Sequence, residues 1–533
     1  MEARRNLYLG AALAQLVLVL AAAMAMGREE EDTDKGFNLF FQSNREEVQD
    51  VPITFDPPLP SWLAGTLVRN GLGLFENGDR SFLHAFDGFA KLSSWRFHGN
   101  GSASFSTRFL GSSFFNDSMA GDTIAPYLLF QGPQPPFNFV ERFRALMHGI
   151  DNMNVNVYRF PGTDGGHDYV ALSDYWKAYQ FSPHDLSTGA SVTGTLHGGE
   201  GGMKNAGFLE LLSSAHPLPE AGTKHHLTFL SSVSLFPLVK NRMQLVRIKS
   251  TQEREVVASW PVDSVPYMHS FSVTETHALL LAHPFYVNVM CMVYEATPFN
   301  CLDWQHDAPS ALYAVELKTG KVTELSMQNV FTMHHVNAYN LDVDGNRIVM
   351  DISAYPNPNF VGSLSLSVLR DPAARDSFPA HAQLQRYEID LGAGTVQRVD
   401  LAPPTPAFVE FLDMPTMNEG HRSRSYCFVY GLVLKTDNVT LSRVAIVKRD
   451  VCGQGRDAAW IVPHHYPVEP LFVPRPGGVA EDDGVVLVPM IDGPSKESYM
   501  AVLDARNLSV LSTASLPTLV PYSLHGRFFD EVI

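Results

Sequence analysis

The sequence predicts an all-β body built from repeated antiparallel hairpins, a propeller or a large barrel-like sheet. Three observations carry that reading. From residue 30 onward the chain alternates short apolar runs with Gly, Asn, Asp and Pro. Hairpin signatures recur along about 500 residues. Several of the 20 histidines stand inside or at the ends of apolar, strand-like stretches.

The elements follow in chain order. Arg4 and Arg5 precede LYLGAALAQLVLVLAAAMAMG (7–27), and REEEDTD comes after it. This run is long enough for a bilayer-spanning helix of about 30 Å. Its basic flank before and acidic flank after suit a signal peptide or signal anchor, so residues 1–30 are assigned as a leader. Residues 31–533 are read as one β body, because all-β architectures commonly exceed ordinary domain length. Entry into the endomembrane system, as a membrane-anchored or lumenal protein, is the expectation. Asn100-Gly-Ser, Asn116-Asp-Ser, Asn438-Val-Thr and Asn507-Leu-Ser are acceptor triplets compatible with that route.

TLVRNGLGLFENGDRSF (66–82), NVNVYRFPGTDGGHDYVALSD (154–174) and HLTFLSSVSLFPL (226–238) read as strands broken by turn residues. Between the first two, residues 119–150 interrupt the rhythm with PYLLF, FNFVERFRALMHG and several prolines. This segment reads as a loop carrying a short amphipathic helix. Its Phe, Leu and Met side chains suit either a plain surface insertion or contact with a membrane or ligand entrance. Further hairpins are read in HDLSTGASVTG (184–194), ALYAVELKTGKVTEL (311–325), QRYEIDLGAGTVQRV (385–399) and YMAVLDARNLSVLSTASL (499–516). GGEGGM (198–203) lacks a strand–loop–helix setting and reads as a flexible loop. Cys291, Cys301, Cys427 and Cys452 have no CxxC spacing; two disulfides and four buried thiols both fit.

A formal net charge of −17 with no long basic tract speaks against nucleic-acid binding. The chain has no GxSxG elbow, no Walker A loop and no HExxH helix. The chemistry therefore points to histidine. His216 in SSAHPLP, His269 in PYMHSFSVTETHALLL, His334 in FTMHHVNAY and His525 in PYSLHGRFF lie far apart in sequence. In a radial fold the inner strands of different blades converge, and four neutral imidazoles there would hold a divalent metal. Because side chains alternate along a strand, His334 and its neighbour His335 point to opposite faces.

The sequence resembles the carotenoid cleavage oxygenase family, which includes retinal-forming oxygenases and the retinoid isomerohydrolase. The resemblance rests on LVRNGLGLFENG (67–78), HAFDGFAKL (84–92), AHP (215–217), YMHSFSVT (267–274), HHVNAY (334–339), FVEF (408–411), VEPLFVPRPGGVAEDDGVVL (468–487) and SLHGRF (523–528). It implies a seven-bladed β-propeller with a helical, loop-rich cap over an axial Fe(II) site. The implied iron ligands are His216, His269, His334 and His525, with His335 facing away into the next layer. Outer carboxylates that orient the rings would be Glu410, Glu469 and Asp174, the last in place of the family's usual Glu. Asn340 stands where an acidic residue is usual.

The implied reaction is insertion of O2 across a conjugated C=C bond of a carotenoid or apocarotenoid, with no protein nucleophile and no organic cofactor. The alternatives are an ester isomerohydrolase on the same iron, or a non-catalytic apocarotenoid or lipid carrier. The implied partners are a hydrophobic polyene and a membrane surface, with no nucleic acid and no obligate protein partner.

Overall fold

The computed structural model describes residues 35–163, 165–198, 207–236, 238–375, 382–403, 412–434 and 444–533. The leader, most of the glycine-rich stretch 198–203, Glu410 and Asn438 lie outside them. Among the described residues, seven sheets have four or more strands each, and these are the blades of a propeller. Within each blade the strands pair mostly as antiparallel neighbours along the chain, as the hairpin signals require. The 311–325 hairpin, for example, forms from Ser310–Glu316 and Val322–Met327, with Val315 opposite Val322. No helix among the described residues is long and apolar enough to cross a membrane.

Burial follows from how blades stack. A middle strand is covered on both faces by neighbouring blades, so Gly484–Asp492 (GVVLVPMID) is a continuous apolar run without alternation. An outer strand such as Thr395–Val399 is polar and largely exposed. The ring is closed by the chain's two ends: Ser523–Phe529 pairs antiparallel with Ala64–Leu74, and His525 lies opposite Asn70. This closure covers two sheet edges that would otherwise be open to other chains.

Irregular segments and short helices form a cap. The sequence places one short amphipathic helix within 119–150, and Phe139–His148 is that helix. Asn138 and Glu141 cap it reciprocally, and Phe139, Val140, Phe143 and Met147 are all more than half exposed. A second helix, Ser113–Gly121, is capped by Ser112 and docks Phe114 into the cap core. All four cysteines are paired, Cys291 with Cys301 and Cys427 with Cys452, which answers the question their spacing left open.

Candidate metal centre

The propeller brings together the four histidines that the motifs select. His216 follows strand Phe208–Ser213, and His269 precedes strand Ser272–Val273. His334 lies within Phe331–Asn340, and His525 within Ser523–Phe529. Four different blades thus contribute one ring each from their inner edges. The potential ligand nitrogens all lie within 4.8 Å of one another. His216 Nε2 is 2.9 Å from His269 Nε2, and His334 Nε2 is 3.2 Å from His525 Nε2.

His334 and His335 are separated by backbone geometry. The ladder between Phe331–Asn340 and Arg347–Tyr355 slips between Thr332 and His335 and again between His335 and Asn337. Such bulges re-aim side chains where a regular strand would merely alternate them. His334 turns to the axis, while His335 Nδ1 meets Ser272 Oγ at 2.8 Å, away from the centre.

Each of three rings is held from behind by a carboxylate. His269 Nδ1 lies 2.5 Å from Asp174 Oδ2, His334 Nδ1 2.7 Å from Asp413 Oδ1, and His525 Nδ1 2.7 Å from Glu469 Oε1. A donor Nδ1–H fixes the tautomer and leaves the Nε2 lone pair facing the axis. Burial, reinforced by the neighbouring histidines, drives His216 and His525 well below the usual imidazole range, which keeps them as neutral ligands. Burial pushes Glu469 up to about 7 against the pull of Arg69. Fully buried Arg69 grips Glu469 through its carbonyl at 3.0 Å and its carboxylate at 3.2 Å.

Asp174 stands where the motif comparison places it and also accepts from Ala215 N at 3.1 Å and Tyr267 Oη at 3.4 Å. Glu469 likewise reaches the site, whereas Glu410 lies outside the described residues. Sequence reasoning missed Asp413, which backs His334 and accepts from the Tyr355 hydroxyl. The signal was there in LDMPT, a carboxylate opening a short strand, Asp413–Thr416. The substitution of Asp for Glu already noted at Asp174 was a precedent for it.

Above the rings lies an apolar cavity of about 250 Å³, with His269, His334 and His525 in its wall. Its roof carries Phe86, Phe130, Phe299 and Phe360. Two residues of the HAFDGFAKL motif pin that roof. His84 Nε2 donates to the Val361 carbonyl at 2.8 Å, and its Nδ1 accepts from Phe86 N at 3.1 Å. The buried Asp87 carboxylate accepts from the backbone N–H of Phe130, Gln131 and Gly132 at 2.5, 2.9 and 2.9 Å.

The donor set fits a ferrous ion. Right-angle ligands at an Fe–N length like that of zinc would stand about 3 Å apart, and the closest nitrogen pairs here are 2.9 and 3.2 Å apart. Three of the four rings also line the apolar cavity, so an ion held by them would lie beside it.

The chain is similar to known proteins over most of its length. A family model described as "Retinal pigment epithelial membrane protein" matches residues 40–530. The chain is 28% identical over 504 residues to carotenoid cleavage dioxygenase 8 homolog A of Oryza sativa, covering 91% of this chain and 86% of that protein. It is 25% identical over 546 residues to human beta,beta-carotene 15,15'-dioxygenase, covering 93% and 95%. The crystal structure of cobalt-substituted Synechocystis apocarotenoid oxygenase superposes with a TM-score of 0.74 at 24% identity, covering 91% of this chain and 97% of that one. That likeness shows the seven-bladed fold.

Proposed function

Since the chain belongs to the carotenoid cleavage oxygenase family, we propose that its substrate is a carotenoid or apocarotenoid drawn from a membrane surface and cut at one conjugated double bond. The protein is a non-haem iron dioxygenase that uses Fe(II) and O2. One observation carries the substrate class: four convergent imidazoles lie against an apolar cavity whose roof is aromatic. When bound, ferrous iron supplies the dioxygen-activating redox chemistry that converts a C=C bond into two carbonyl groups.

The chain's own residues supply the setting. The four neutral rings leave the ion's charge uncancelled. Asp174, Asp413 and Glu469 hold three of them in one tautomer and direction. The apolar wall excludes water and lays an extended polyene across the rings. Phe86, Phe130 and Phe299 form a contiguous aromatic roof, with centroids 5.4 Å apart for Phe86–Phe130 and 5.2 Å for Phe130–Phe299. Such ring faces favour positive character developing along the polyene. No side-chain nucleophile is needed.

Membrane contact is supported by the apolar patch at the cap. Phe139, Phe143 and Met147 project from Phe139–His148, which packs beside Cys291–Tyr294, where Met290 and Tyr294 are also exposed. That second segment continues into the cavity through Met292 and Phe299. Exposed Arg144 on the same helix suits anionic headgroups. The paired cysteines and the apolar run 7–27 support a lumenal, oxidising location.

The test is product analysis of iron-loaded protein given carotenoids, apocarotenoids and a retinyl ester under isotopically labelled O2. Labelled carbonyl fragments are expected, and their masses give the bond cut. Unlabelled, isomerised alcohol released from the ester would overturn this reading.

A further inference from the structure

We propose that Asn100 and Asn507 carry N-linked glycans and that Asn116 does not. The inference rests on the lumenal location argued above and adds to it the sites and their selectivity. All three are acceptor triplets with Ser two residues on, so sequence alone cannot rank them. The structure does.

Asn100 is exposed at the tip of the hairpin between Phe89–His98 and Ala103–Phe109, in the turn HGNGS. Gly99 and Gly101 take the left-handed conformations, φ 72° and 87°, that this tight turn needs, which leaves Asn100 projecting between them. Ser102 is exposed, and both its N–H (2.9 Å) and its hydroxyl (2.7 Å) donate to Asn100 Oδ1. A hydroxyl donating to the amide oxygen polarises that amide and makes its N–H more acidic, and Asn100 as a whole is exposed to an incoming enzyme. Asn507 likewise stands in a turn between two strands, Glu497–Asp504 and Val510–Ser515. Buried Leu508 anchors that turn, while Asn507 and Ser509 stay exposed and Ser509 N donates to Asn507 Oδ1 at 3.0 Å.

Asn116 differs in both of its parts. It sits within helix Ser113–Gly121, and its Nδ2 is already donated to the Gly111 carbonyl at 3.0 Å. Its partner hydroxyl, on Ser118, is fully buried and donates to the Phe114 carbonyl at 2.7 Å. Forming that helix removes both the amide and the hydroxyl from an incoming enzyme.

The step balances without a redox partner. Asn Nδ2 forms a bond to C1 of the first sugar of a lipid-diphosphate-linked oligosaccharide. The C1–O bond breaks, and the lipid diphosphate leaves with the electron pair. The amide proton passes to a base of the transferring enzyme. Neither asparagine lines the cavity or the apolar patch of the cap, so glycans there leave substrate access free.

The experiment expresses the full chain, leader included, in a secretory eukaryotic cell. Purified protein is deglycosylated with a peptide-N-glycosidase in heavy-oxygen water and mapped by mass spectrometry, with free thiols counted in parallel. Heavy-oxygen Asp is expected at positions 100 and 507, and unmodified Asn at 116. Ser102→Ala and Ser509→Ala should each abolish the label at their own site, while Ser102→Thr retains it. Disulfides formed with no label at either site would overturn the site assignment and leave the location standing. Four free thiols with no label would overturn the location and this inference with it. Label at Asn116, or at only one of the two turns, would overturn the structural ranking.

Discussion

The floor and the roof of the cavity are built on different principles. On the floor, each imidazole sits at the inner edge of a different blade, and three rings are locked by carboxylates at 2.5–2.7 Å. Sheet register and blade closure fix their positions, so the convergence is set by thousands of small packing terms spread over the propeller. The roof has no such register. It is made of the 3-10 turn Phe37–Phe41, the loop through Phe130, the segment Pro298–Cys301 and the short helix Asn359–Ser363. Two buried polar residues, His84 and Asp87, tie parts of it down. Rigid register serves the metal, whose ligands must meet within tenths of an ångström. Irregular chain serves the substrate, whose length and shape can be matched by changing loops without disturbing the floor.

If the floor is where chemistry resides, its residues should fail completely and specifically. His334→Ala is expected to lower cleavage activity by more than about 10³-fold and to remove stoichiometric iron, measured by elemental analysis of the purified protein. Its far-ultraviolet circular dichroism should remain that of a β protein. Chelation of the native protein should do the same and be reversed by ferrous iron. Retained stoichiometric iron in the variant would break the four-ligand assignment.

The next largest effect distinguishes two carboxylates. His334 has one Nδ1 proton to donate, and Asp413 takes it at 2.7 Å. Asp413→Asn should weaken iron affinity or turnover about 10–100-fold. Glu410→Gln should leave both iron affinity, read by competition with a chelator, and turnover near their native values. The reverse result would hand the role to Glu410.

This pair shows what was legible in the sequence and what was not. The hairpins were legible because turn residues and alternation are local signals, and the strands they predicted formed. The blade count came only through the resemblance, because no repeat marks a blade and closure by Ser523–Phe529 is a contact across the whole chain. The metal ligands came through resemblance, since a short motif such as HHVNAY places His334 unambiguously. Asp413 was missed because a second-sphere contact tolerates Asp or Glu and a shift of a few positions, provided the backbone compensates. Here it does so with a positive φ of 52° at Met414, beside a register slip between Asp413 and Thr416. His84 and Asp87 were visible only as motif letters, because their partners Val361 and Gly132 are 277 and 45 residues away.

The roof should respond in the opposite sense to the floor. Phe130 lies between Phe86 and Phe299 and its loop hangs on Asp87. Phe130→Ala removes an aromatic face worth about 0.5–1.5 kcal/mol of polyene contact, so KM should rise by up to about tenfold while iron content stays stoichiometric. A change in the ratio of cleavage positions would strengthen the view that the roof sets the register of the polyene over the rings. Loss of iron in this variant would show that floor and roof are not separable.

The smallest expected effect lies in the roof's polar pin. Burial pushes His84 down to about 4, although the Val361 carbonyl holding its Nε2–H works against this. The folded chain therefore keeps His84 neutral at pH values where the unfolded chain, near 6.5, takes up a proton. With the folded value below the unfolded one, the stability contribution is complete above about pH 6.5 and is lost progressively as pH falls towards 4. For one such group the loss between pH 7 and pH 6 is about 0.7 kcal/mol. His283 is pushed to about 4 by burial in the same way and adds in the same direction. His84→Phe cannot titrate, so its urea midpoint should fall less steeply over that interval, whatever its absolute stability. The absolute value should also drop, since the Val361 carbonyl and Phe86 N–H lose their partner. Parallel pH slopes in the two proteins would mean that the folded chain protonates His84 as readily as the unfolded chain does, and a steeper fall in His84→Phe than in the native protein would mean that the roof is pinned by a charged ring.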